Sequence, residues 1–165
     1  MTFAACDQGT PLDTGPQRIV LAGKPAPIDV SGTWNWSEEA KGLIPAESAD
    51  FFGIVPEGKA THFTCHDSGT LIFIQTGQTF EGTGTQVGEC FTRGGQFISN
   101  DFTFSILNGQ IHGHSISFDF DDPICPYKAV LTVENGVAVA MHGTGFCGPF
   151  GPRDLFKSIL FEGTR

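Results

Sequence analysis

Charge is scarce in this chain of 165 residues: Asp, Glu, Lys and Arg make up 16% of it, and nine basic residues face eighteen acidic ones. The net charge of −9 repels phosphate backbones, which sets nucleic acid aside as a partner. No apolar run reaches the roughly 18 residues that a membrane-spanning helix needs. Gly-x-Ser-x-Gly, P-loop and dinucleotide-binding fingerprints are missing, and no pair of cysteines has the spacing of a zinc ribbon, so no cofactor is called for. Tyrosine occurs once and methionine twice. What the chain has instead is 22 Gly, 10 Pro and 16 Phe within a 39% hydrophobic composition. That is too rich in Gly and Pro for a helical domain and too apolar for a disordered chain, and the length suits one domain.

Five cysteines stand at 6, 65, 90, 125 and 147. Cys6 follows Met1-Thr2-Phe3-Ala4-Ala5, small and apolar residues that match the tail of a bacterial lipoprotein signal, whose Cys becomes the lipidated N-terminus. The basic and most of the apolar part of such a signal do not precede it, so a free thiol at an ordinary N-terminus is the other reading. Residues 7–28 carry Pro11, Pro16, Pro25 and Pro27 with little periodicity and read as a tether, which places the domain at 29–165. The remaining four cysteines suit an oxidising compartment, so the protein is expected outside the cytoplasm, in a periplasm or at a cell surface. A lipid on Cys6 would then be its only attachment to a membrane.

From Asp29 onward short β-runs alternate with turn residues: Val30–Trp36, Thr61–Cys65, Thr70–Thr76, Thr79–Val87, Gln96–Leu107, Gln110–Phe120, Lys128–Val133, Val137–His142 and Phe156–Gly163. Spacing of this kind predicts an all-β sandwich or barrel. Ala46–Phe52 is the one helical candidate.

Asn-Gly occurs at 108–109 and at 135–136, each between β-runs. A three-residue loop at each site, with Gly in the left-handed conformation, puts the apolar residues of both arms on a common face. At the second site that face holds Tyr127, Ala129, Leu131, Val133, Val137, Val139 and Met141. At the first it holds Phe102, Phe104 and Ile106 with His112, His114, Ile116, Phe118 and Phe120. A two-residue loop there would need a compensating bulge. Parsimony therefore turns His112 and His114 inward among phenylalanines. Extending the hairpins brings Cys65 near Cys90 and Cys125 near Cys147, each within about two or three positions of true opposition, which predicts those two disulfides. Each would contribute about 3 kcal/mol.

The run Val30-Ser31-Gly32-Thr33-Trp34-Asn35-Trp36 resembles the Gly-x-Trp opening of the calycin barrels, the lipocalin and avidin type. The segments Gly69–Gly77, Thr79–Thr83 and Asn108–Gly113 resemble stretches of secreted bacterial lipocalin-like proteins. This likeness implies an antiparallel up-and-down barrel of about eight strands. It also implies that Trp34 plugs one end and that a basic residue of the last strand, here Arg165, packs across it, a contact worth about 0.5–2 kcal/mol.

The expected function is non-catalytic: a small apolar or aromatic ligand held in the barrel by Phe102, Phe104, Phe118, Phe120 and Tyr127, with His112 and His114 as polar contacts. Two alternatives accompany it. One is a periplasmic interaction, accessory or inhibitor module with a filled barrel, meeting a protein partner or a second copy through Ile72 and Ile74, which stand on the second face of a strand apolar on both. The other is a small barrel enzyme, a cyclase, isomerase or metal-dependent catalyst, using the histidine pair. Asp119, Asp121 and Asp122 read as a solvated acidic turn, since calcium-loop spacing is absent.

Overall fold

A computed structural model describes residues 26–44, 60–92, 97–121, 124–147 and 156–165. Eight strands follow in chain order: β1 Gly32–Ile44, β2 Thr61–Thr76, β3 Thr79–Thr92, β4 Phe97–His112, β5 Ser115–Asp121, β6 Ile124–Glu134, β7 Val137–Cys147 and β8 Phe156–Thr164. Each pairs antiparallel with the next, and β8 returns to β1, so the sheet closes as an up-and-down barrel. Cys6 and the helical candidate Ala46–Phe52 lie outside the described residues.

Alternation makes the wall. On β1, Trp34, Trp36, Ala40 and Ile44 are buried while Thr33, Asn35, Lys41 and Leu43 are exposed. On β2, Phe63, Cys65, Leu71 and Phe73 point inward, and on β6 Cys125, Tyr127, Ala129 and Leu131 do. The sequence splits β2 into two runs because His66-Asp67-Ser68-Gly69 contains nothing apolar. The strand passes straight through, with Asp67 at an inward position and only 3% exposed.

The two Asn-Gly sites behave differently. At Asn135-Gly136, φ is 52° and 82° and Glu134 pairs with Val137, a two-residue type I′ turn in place of the expected three-residue loop. Val139 is then an extra residue in β7, a bulge that brings Leu131 opposite Met141 and restores the buried face. The turn is also fixed from outside: Asp29 N–H donates to the Gly136 carbonyl and the Ala138 N–H donates to that of Asp29.

Asn108-Gly109 makes no hairpin. β4 runs through it with one extra residue against both β3 and β5, Asn108 at a φ of 55°. Gly109 is needed because a Cβ there would stand 2.6 Å from the Phe80 ring, which packs across the bulge. The real turn is Gly113-His114, five residues on, with Gly113 at a φ of 59°. The bulge shifts the inward parity from Phe104 and Ile106 to Ile111, and so reverses the facing of His112.

Trp34 is fully buried at the end that carries these turns, its indole Nε1–H donating to the Val30 carbonyl at 2.9 Å. The Arg165 guanidinium lies 5.0 Å from the centre of the Trp34 ring and donates to the Asp29 carbonyl at 3.3 Å. Asp29 in turn accepts from the hydroxyl and N–H of Ser31, which with the Arg165 charge hold its carboxyl below the usual range. Above Trp34 the interior is filled by rings in contact. Phe73 touches Phe80 and Phe118, Phe104 lies 3.8 Å from Phe120, and Tyr127 packs against Phe118, Phe120 and Phe161.

Candidate functional site

The barrel has two unlike ends. The β2–β3, β4–β5 and β6–β7 connections are two-residue turns at the Trp34 end. At the other end stand the strand ends Ile44 and Thr61, Thr92 and Phe97, Asp121 and Ile124, and Cys147 and Phe156. Towards that second end the inward positions take in polar and small side chains, with Phe63 and Ile44 buried beyond them.

The polar layer comes from four strands. Glu38 on β1 is directly opposite Asp67 on β2, and both carboxylates face inward, 6% and 3% exposed. Gln86 of β3 is equally buried. Tyr127, reaching across from β6, donates its hydroxyl to Glu38 Oε2 at 2.9 Å. Its ring has room because Gly145 lies opposite on β7, where a Cβ would come within 2.7 Å of it. Burial, then the charge and hydrogen bond of Glu38, then the charge of Asp67 push the Tyr127 hydroxyl well above its ordinary pKa. At any physiological pH it is therefore a donor. Trp36, edge-on to Phe104 and Phe120, spends its indole N–H on the Thr85 carbonyl at 3.1 Å.

Disulfides Cys65–Cys90 and Cys125–Cys147 line the same half, joining β2 to β3 and β6 to β7, as expected from register. All four cysteines are buried. Such bonds persist in oxidising surroundings, which places the protein in an extracytoplasmic environment.

Phe102 differs from the other inward rings. It shares the inward face of Phe104 and Ile106 and stands opposite buried Gln86, yet it is 39% exposed. Of the residues expected to surround a ligand, Phe104, Phe118, Phe120 and Tyr127 are buried and Phe102 is exposed.

His112 and His114 are corrected: neither is inside. His112 ends β4 on the outer face, at the edge of an open groove of about 600 Å³ that Lys128, His142 and Thr144 also line, and His114 is exposed in the turn. The parity shift at Asn108 accounts for both. Ile72 and Ile74 do face outward, 44% and 61% exposed. Among the described residues no three His, Cys, Asp or Glu side chains are grouped so as to hold a metal ion.

Glu38, Asp67 and Gln86 are buried polar residues that the sequence reading missed. A signal existed for the first: the alternation Trp34, Trp36, Glu38, Ala40 carries the inward face past the point where the apolar run stops. No family model, curated protein or solved structure matches this chain.

Proposed function

We propose that the protein is a non-catalytic, extracytoplasmic binding protein that holds a small apolar or aromatic ligand in the mouth half of its barrel. The observation that carries this is Phe102, an inward ring open to solvent above a floor of Trp36, Phe104, Phe120 and Tyr127. Aromatic walls with a few convergent polar groups are the usual make-up of a small-molecule pocket. Here the polar groups are Tyr127, Glu38, Asp67 and Gln86, which take the role first given to the histidines. An interior filled by side chains up to this layer limits the ligand to one small molecule. Residence in a periplasm or at a cell surface, with Cys6 as a lipid anchor, belongs to the same proposal.

Titration of the full, unreduced chain with the neutral dye N-phenyl-1-naphthylamine tests it. Expected is saturable enhancement at one site, weakened at least about tenfold by Phe102→Asp, which puts a charge where an apolar contact is needed. The His112→Gln/His114→Gln variant should bind as the parent does. Absence of saturable binding, or indifference to Phe102→Asp, would count against the proposal.

A protein-interaction module remains a second reading, favoured by the outward Ile72 and Ile74. Sedimentation that shifts with concentration, and not in Ile72→Ser/Ile74→Ser, would support it.

A further inference from the structure

The long strand β4 is unevenly paired. Its ladder with β3 runs from Phe97 to Gln110, whereas its ladder with β5 begins only at Ile106, because β5 has 7 residues against 16. Among the described residues, Phe97–Ser105 thus has a strand on one side alone. Two contacts show which backbone groups face the other side. The Ser105 N–H donates to Asp121 Oδ1 at 2.8 Å across the gap. The Thr85 carbonyl, opposite Thr103, turns the other way, against Gly69 of β2. Backbone direction alternates along a strand, so the N–H and C=O groups of Ser99, Asp101 and Thr103 lie along the edge away from β3. Such a row, repeating about every 7 Å, is a template for one more strand.

The side chains around the edge define what would fit. Asp101 is exposed on the outer face, and Asp119 and Asp121 close the lower end from β5. On the inner face the edge offers Phe102. We propose that an extended segment of a partner protein adds as a strand beside Ser99–Ser105, with basic residues on its outer face and an apolar residue against Phe102. Charge disfavours a second copy in this place. The chain carries −9, and antiparallel self-pairing centred on Asp101 would set two carboxylates directly opposite each other.

The test uses ¹⁵N-labelled full-length, unreduced protein and two blocked nine-residue peptides, one alternating Lys and Val and one alternating Glu and Val. Amide exchange is read at Asp101 and Thr103. The proposal expects fast exchange in the free protein, at least about tenfold slowing with the Lys peptide and none with the Glu peptide. Asp101→Lys, which leaves every backbone group in place, should reverse that preference. Thr103→Pro removes one donor and should abolish the protection while the indole signals of Trp34 and Trp36 stay folded. Four results would overturn it: protection in the dilute free protein, protection that grows with protein concentration alone, equal response to the two peptides, or no effect of Asp101→Lys.

Discussion

Tyr127 is the chain's single tyrosine, so phenolate absorbance at 295 nm reports one buried side chain without mutagenesis. Its folded pKa is raised while the unfolded value is about 10, so the native state holds this proton more tightly. The contribution is therefore whole below pH ~10 and is lost as pH rises through the folded pKa. Absorbance should rise only together with unfolding, and alkaline stability should fall more steeply than in Tyr127→Phe. At neutral pH the same substitution takes a donor from Glu38 and is expected to cost about 1.5–3 kcal/mol in urea denaturation. A phenol that titrates near pH 10 in the folded chain would remove Tyr127 from the interior. The polar layer was hard to read beforehand for a plain reason. Apolar alternation locates strands by their hydrophobic members, and a buried carboxylate interrupts the very pattern that would locate it, as Asp67 does in β2.

At the scale of elements, two identical dipeptides took two structures. Asn-Gly favours positive φ, and both Asn135 and Asn108 supply it. At 135–136 this closes a hairpin; at 108–109 it builds a bulge, because the Phe80 ring occupies the space over Gly109 and β5 begins only after Gly113. Local sequence specified the backbone angle, and packing from β3 decided what the angle was for. Asn108→Val should therefore cost about 1–2 kcal/mol, since a β-branched residue is poor in the left-handed region, while Asn108→Gly should be near neutral. Equal stability of the two variants in urea would show that the bulge does not depend on that conformation. The histidine error descends from the same misreading, as one inserted residue exchanges the two faces of everything after it.

The closed barrel was legible at the scale of the whole molecule. Period-2 alternation, short connections and two cysteine pairs near opposed register are each weak, but they agree. What alternation could not show was where along the barrel the stacked rings give way to the buried polar residues Glu38, Asp67 and Gln86. The disulfides lie in the half away from Trp34, joining β2 to β3 and β6 to β7. Replacing either pair by serines should cost about 3 kcal/mol, given loops of 25 and 22 residues. Reduction of the parent should lower Tm by the combined amount, and an unchanged Tm would show that the ring-filled half alone carries the stability.

Native mass spectrometry of the full-length, unreduced protein taken from its own cells tests the central claim most directly. The account predicts one bound molecule of roughly a few hundred daltons, the size such a pocket admits, and its loss in Phe102→Asp. A bare polypeptide mass, short only of the four hydrogens given up in forming two disulfides, would contradict it.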